Sequence, residues 1–340
     1  MVRQEQRKFV FPCLLALLLI SSFASLFLGQ LTLTWQNIVG VFVAQLGMPV
    51  TGSYSFSPEQ LAIVWFVRLP RIVIALLVGA ALGCSGAVLQ GIFSNILVDP
   101  GLVGVSAGAT TGAVIAIVFG FSVANMWLTP LMALGGAMMA VILTIFLAMR
   151  HGKLPVNTLL LAGVAITFFF TAINSALLTF MNDQKFHQYL FWMSGGLDYR
   201  RWEHIYLVLL PIVVGVICLC FLARHLNVLA LGETEAKSVG MPVLRYRLVF
   251  LLLSSIITSA AVCVSGNIGF VGLVVPHMMR LLVGPDHRLL LPASALAGAV
   301  FLVVCDALSR IIVPRGEIQV GIVTALVGVP YFLYLLRKQH

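Results

Sequence analysis

"VRLPRIVIALLVGAALGCSGAVLQ", Val67–Gln90, decides the class of fold. Two arginines, Arg68 and Arg71, flank a proline, and from Ile72 to Leu89 every residue is apolar or small. Such a run crosses a bilayer, which needs about 20 predominantly apolar residues. The rest of the chain repeats the pattern. Of its 340 residues 61% are hydrophobic and 9% charged, with a mean hydropathy of +1.08. A soluble domain carries about 25% charge. The apolar runs are continuous and do not alternate, which argues against a membrane β-barrel. The expected fold is an all-α polytopic membrane protein.

Ten spans fit: about 9–28, 62–84, 101–120, 127–149, 156–180, 204–223, 247–266, a short one near 270–283, 289–309 and 318–336. The first, from Phe9 to about Leu28, begins like a signal peptide but is long enough to span, so it is read as a retained helix with its basic end inside. Arg3, Arg7 and Lys8 put the N-terminus in the cytoplasm, and ten crossings return the C-terminus there. Thirteen cations then fall inside: those three with Arg150, Lys153, Arg224, Lys237, Arg245, Arg247, Arg280, Arg288, Arg337 and Lys338. Seven fall outside: Arg68, Arg71, Lys185, Arg200, Arg201, Arg310 and Arg315. The positive-inside rule favours this topology over its inverse. The net charge of +9 is scattered through short loops, with no stripe of the kind that binds nucleic acid. Residues 1–340 read as one transmembrane domain. The six cysteines lie in or beside apolar runs without C-x-x-C and read as small apolar fillers. "SGAVLQGIF" (85–93) and "SGNIGFVGL" (265–273) are faintly alike and would sit near opposite faces, as in an inverted repeat.

The inside segment "LNVLALGETEAKSVGMPVLRYR", 226–247, predicts one short amphipathic helix at about 232–239. Glu233 and Glu235 favour its N-terminal end, Glu233 and Lys237 form an i,i+4 pair, Gly240 caps it and Pro242 prevents continuation. From physics alone, this is either an ordinary interfacial helix or a piece that docks in a partner's socket.

With that segment, "GNIGFVGLVVPHMMRLLVGPDHRLLLP" and "VRLPRIVIALLVGAALGCSGAVLQGIFSN" resemble the FecCD-type permeases, the membrane subunits of ATP-binding-cassette (ABC) importers for iron-siderophores, haem and cobalamin. The likeness runs in matching order from about residue 60 to the C-terminus. It implies the type II importer fold with ten spans, and a homodimer with the path between the copies. It implies two separate ATPase subunits that bind ATP-Mg, with no cofactor or metal in this chain. It also implies a periplasmic or lipid-anchored binding protein and a place in the bacterial cytoplasmic (inner) membrane. The 226–247 segment then sits in the ATPase cleft, with Leu231, Gly232, Glu233, Glu235, Ala236, Lys237 and Gly240 as its contact residues. Arginines at Arg68, Arg71 and Arg310, with Arg315 close behind, would meet glutamates of the binding protein. The alternative for them is headgroup snorkelling.

The resemblance also places a cytoplasmic gate at Asn95 and Leu97, within "FSNILVDPGLVGVSAGATTGA" (93–113), and along the fifth span. Small residues after Pro100 permit close helix approach. Ile96 and Gln319 stand where the family has prolines. The cargo expected from family frequency is a ferric siderophore first, then haem or cobalamin. Oxyanion import is possible for a relative.

Other classes fit less well. No G-x-x-x-x-G-K-[ST] occurs, so ATP must be handled elsewhere. An ion-coupled secondary transporter buries acids at the midplane, whereas the eleven acids here lie in loops or near helix ends, Asp306 coming closest. An intramembrane serine protease would need Ser85 or Ser265 to converge with His277. His277 reads as structural.

Overall fold

The computed structural model describes residues 4–29, 31, 33–48, 54–121, 125–313 and 316–338. Arg3 and Arg315 lie outside the described residues. The helices are α1 Gln4–Phe27, α2 Trp35–Gln45, α3 Pro58–Ala62, α4 Leu69–Phe93, α5 Val105–Val118, α6 Leu128–Ala148 and α7 Val156–Leu178. They continue as α8 Asp183–Met193, α9 Trp202–Ala230, α10 Glu233–Ser238, α11 Val243–Ser265, α12 Val271–Val283, α13 His287–Ser309 and α14 Val320–Lys338. Among the described residues, seven segments are by length and composition long and apolar enough to cross a membrane, and three shorter apolar helices, α5, α12 and most of α14, join them. These are the ten expected segments.

Helix α4 is the centre of the bundle, packed by α9, α11, α12 and α13. Its glycines explain how neighbours come so close. A Cβ on Gly79 would stand 2.2 Å from the Gly298 carbonyl oxygen of α13, so the two backbones touch without an intervening side chain. At Gly86 a Cβ would meet the Gly272 oxygen of α12 at 1.9 Å. That contact brings the 85–93 and 265–273 stretches together inside the bundle, not at opposite faces.

Two further departures are informative. The second span was expected to end near 84, but α4 runs on to Phe93. The chain stays helical there because α12 and His287 pack against the small-residue face of 85–91. At its other end, a π-helical stretch, Ile63–Arg68, joins α3 to α4 without a break. Helices α2 and α8 lie between the expected spans. Each starts on a polar cap: Thr34 accepts from the Asn37 backbone in a capping box, and Asn182 accepts from the Lys185 N–H at 3.0 Å. All six cysteines are free.

With 25 residues, α4 is roughly 37 Å long, enough to carry its two ends to opposite sides of a bilayer. The candidate sites lie at those ends.

Candidate functional site

At the Leu69 end of α4, Arg71 is enclosed by three carboxylates. Its Nε donates to Asp306 Oδ1 of α13 at 2.7 Å, and its Nη1 donates to Glu317 Oε2 at 2.6 Å. Asp198 Oδ1, from the loop after α8, lies 2.8 Å from the same Nη1. Arg71 is only 5% exposed. The loop is drawn in by backbone bonds: Gly196 N donates to Ser265 O and Gly321 N to Gly195 O, each at 2.9 Å. Gln319, in place of the expected proline, lies so close that a Cβ on Gly196 would meet its Oε1 at 1.9 Å.

Arg68 and Arg310 do something different. Arg68 donates to the Leu26 and Leu31 carbonyls, and Arg310 to the Leu28 carbonyl, at 2.9 Å, and to Ser25 Oγ. The last carbonyls of a helix have no intrahelical partner, and cations are favoured there. Two guanidiniums therefore close the end of α1. Arg310 also lies 3.3 Å from Asp306 Oδ2.

This corrects the premise of the docking expectation. All three arginines are buried and engaged within the chain, so they do not form an open cationic rim. The sequence reading paired Asp306 only with Arg310, one turn away, and missed the partners of Arg71 because Asp198, Asp306 and Glu317 are far from it in the chain. The available signal was that all three acids fall on the same predicted face as Arg68 and Arg71. The cage borders a cavity of about 560 Å³ lined by Arg71, Asp198, Arg200, Arg201 and Glu317, and there Arg201 is exposed.

Burial raises the Asp198 carboxyl to about 6 against the opposing pull of Arg71. Burial also acts to raise Glu317, but Arg71 and its hydrogen-bond partners outweigh it, and that group lies below the usual range. A carboxyl whose folded pKa is raised contributes stability at low pH that is lost as pH rises through the folded value. Asp198→Asn is therefore expected to melt higher than the unsubstituted protein at pH 7.5. The gap should begin to narrow as pH falls below about 6 and close only toward the ordinary aspartate range. A constant gap across pH 7.5 to 5, followed by thermal unfolding, would contradict this.

At the opposite end of α4, the chain turns at Ser94, with φ +47°, and Asn95 Oδ1 accepts from Leu97 N at 2.9 Å. Asn95 and Leu97, the predicted gate, are both exposed. Asn95, Ile96 and Leu231 line one cavity of about 480 Å³ with Arg280, Asp286 and His287, so a residue of the expected gate and one of the expected coupling set lie side by side. Asp286 caps α13 and accepts from Asn227 Nδ2 at 2.7 Å, and its hydrogen bonds with Arg288 hold its carboxyl far below the usual range.

The predicted amphipathic helix is present as α10, one residue shorter at each end. Lys237 Nζ donates to Glu233 Oε1 at 2.6 Å, Ala236 is buried, and Glu235, Lys237 and Leu231 are exposed. Gly232 precedes the helix with φ +126°, and Gly240 ends it with φ +78°, a conformation that favours glycine. The protease alternative finds no support in the geometry. Ser85 and Ser265 donate to the carbonyls of Leu82 and Ala261, within their own helices, and not to His277.

The profile of the FecCD transport family matches residues 17–338. The chain belongs to that family. It is 43% identical over 310 residues to the cobalamin import system permease BtuC of Halobacterium salinarum, covering 91% of this chain and 80% of that one. It is 37% identical over 340 residues to the vitamin B12 import system permease BtuC of Escherichia coli O127:H6, covering 99% and 98%. A solved chain of a metal-chelate type ABC transporter in an inward-facing conformation superposes with a TM-score of 0.85 at 33% identity, covering 97% and 99%. As an FecCD member, the chain is a multi-pass permease subunit of an ABC importer, not an enzyme, and such permeases work with ATPase and binding-protein partners.

Proposed function

We propose that the chain carries a cobalamin-type metal chelate across the bacterial cytoplasmic membrane by alternating access. The supporting observation is its end-to-end likeness to vitamin B12 permeases, over 99% of its own length. That moves cobalamin ahead of the ferric siderophore and haem expected from family frequency. The working unit is two copies of this chain, two ATPase subunits that bind ATP-Mg, and one binding protein. The apolar residues left exposed on α7 and α14, such as Leu161, Phe168 and Leu326, give a second copy a surface to pack on. Both termini and α10 face the cytoplasm in this reading, and the arginine cage faces outward. Few charges line such a path, because selectivity sits in the binding protein.

Docking of the binding protein falls on the outer end, which Arg68, Arg71 and Arg310 shape from beneath. Reversing those arginines would disturb the fold itself, so Arg201 is the cleaner probe. Arg201→Glu is expected to slow binding-protein-stimulated ATP hydrolysis several-fold, through encounter more than affinity, without lowering the melting temperature. Unchanged stimulation would remove Arg201 from the docking surface.

The deciding experiment is uptake of labelled cyanocobalamin into proteoliposomes holding the permease with its ATPase and binding protein. ATP-dependent uptake is expected. Uptake of a ferric siderophore or haem alone would replace the cargo, and uptake without the ATPase would favour an ion-coupled transporter.

A further inference from the structure

Arg247 sits in the second turn of α11 and is 6% exposed. Its guanidinium holds two elements at once. Nη1 donates to the Leu154 carbonyl at 2.5 Å, and Nη1 and Nη2 both reach Glu233 Oε2 at 3.3 Å. Glu233 is the first residue of α10, and its other oxygen takes Lys237. Leu154 is buried and lies two residues before α7.

Leu154 is not on a slack loop. The turn before it is closed by Arg150 N to Lys153 O and Lys153 N to Arg150 O, both at 2.9 Å, with His151 and Gly152 at positive φ. Pro155 then leads straight into α7. No backbone runs directly between α10 and α7, which is why a side chain has to join them. The planar fork of an arginine can face a carboxylate and a carbonyl together, which the single ammonium of lysine cannot do from one fixed position.

We propose that Arg247 is a positioning residue that ties α10 to the start of α7, so that displacement of the short helix is passed to a transmembrane helix. This rests on the reading that the 231–240 segment meets the ATPase. Without the tie, α10 still folds through Gly232, Gly240 and the Glu233–Lys237 pair, but its movement reaches α7 only through intervening packing.

The test uses the full assembly in proteoliposomes and measures cyanocobalamin transported per ATP hydrolysed, together with copurification of the ATPase. Arg247→Lys and Arg247→Gln should retain the ATPase while transport per ATP falls by about tenfold or more, a loss in the range of coupling free energies. Glu233→Gln should lower the ratio less, and should add little to Arg247→Lys, because both act on one tie. Should Arg247→Gln lose stability, Arg247→Lys, which keeps the charge, carries the test. A ratio within about twofold of the unsubstituted assembly in both Arg247 variants would overturn the proposal. So would loss of the ATPase from Arg247→Lys, which would assign Arg247 to shaping the docking surface. Glu235→Lys, on the exposed side of α10, separates the underlying reading: if it leaves ATPase copurification intact, the segment is not the ATPase seat, whatever the transport ratio shows.

Discussion

Arg71→Ala should destabilise the isolated permease by about 3–5 kcal/mol, the cost of removing one partner from a buried ion cluster. Asp198 and Glu317 would lose their cation, whereas Asp306 would keep Arg310 at 3.3 Å. Thermal unfolding in detergent, with no binding protein present, is the appropriate measurement. Arg71→Lys should recover part of the loss, because it restores charge without the fork that serves Asp306 and Glu317 together. Adding Glu317→Gln to Arg71→Ala should also recover part of it, by removing one stranded charge. If Arg71→Ala melted like the unsubstituted protein, the cage would not be a source of stability, and an outward docking role for Arg71 would regain its case.

Gly79→Val should be comparably severe. The new Cβ would meet backbone on α13, which cannot rotate out of the way as a side chain could. Overpacking a well-filled interior costs about 1–3 kcal/mol and occasionally more, and a forced separation of α4 from α13 belongs at the upper end. The matched control is Gly135→Val in α6, where a Cβ would meet nothing within 4 Å. Thermal unfolding of the two variants side by side should show a large drop for position 79 and almost none for position 135. Equal drops would mean that helix propensity, and not the α4–α13 contact, governs both.

The spans were legible because continuous apolar length is a strong signal in a bilayer. The end of the short α10 was legible because a cap acts locally there, at Gly240. The second span was placed too short where tertiary packing decides, at 85–93, which α12 and α13 hold in the helix. Helix α8 was missed because it is largely polar, and α2 because its 11 residues fall short of a span, although Thr34-x-x-Asn37 was a readable capping pattern. At the site level, the sequence located the three arginines and the α10 segment. It supplied the partners one turn away, Asp306 for Arg310 and Glu233 for Lys237, but not the distant ones. Arg71 and Glu317 are 246 residues apart, and Arg247 and Leu154 are 93 apart. Neither helical periodicity nor local charge spacing reaches across such distances.

The closure of α1 has a consequence for how the chain is made. Leu28 emerges from the ribosome early, but the arginine that satisfies its carbonyl follows 282 residues later. Until α13 has been inserted, the leading helix is held at that end only by Arg68 and by lateral packing. A nascent chain stalled before residue 310 should therefore carry an α1 that proteases and quality-control factors can still pull away.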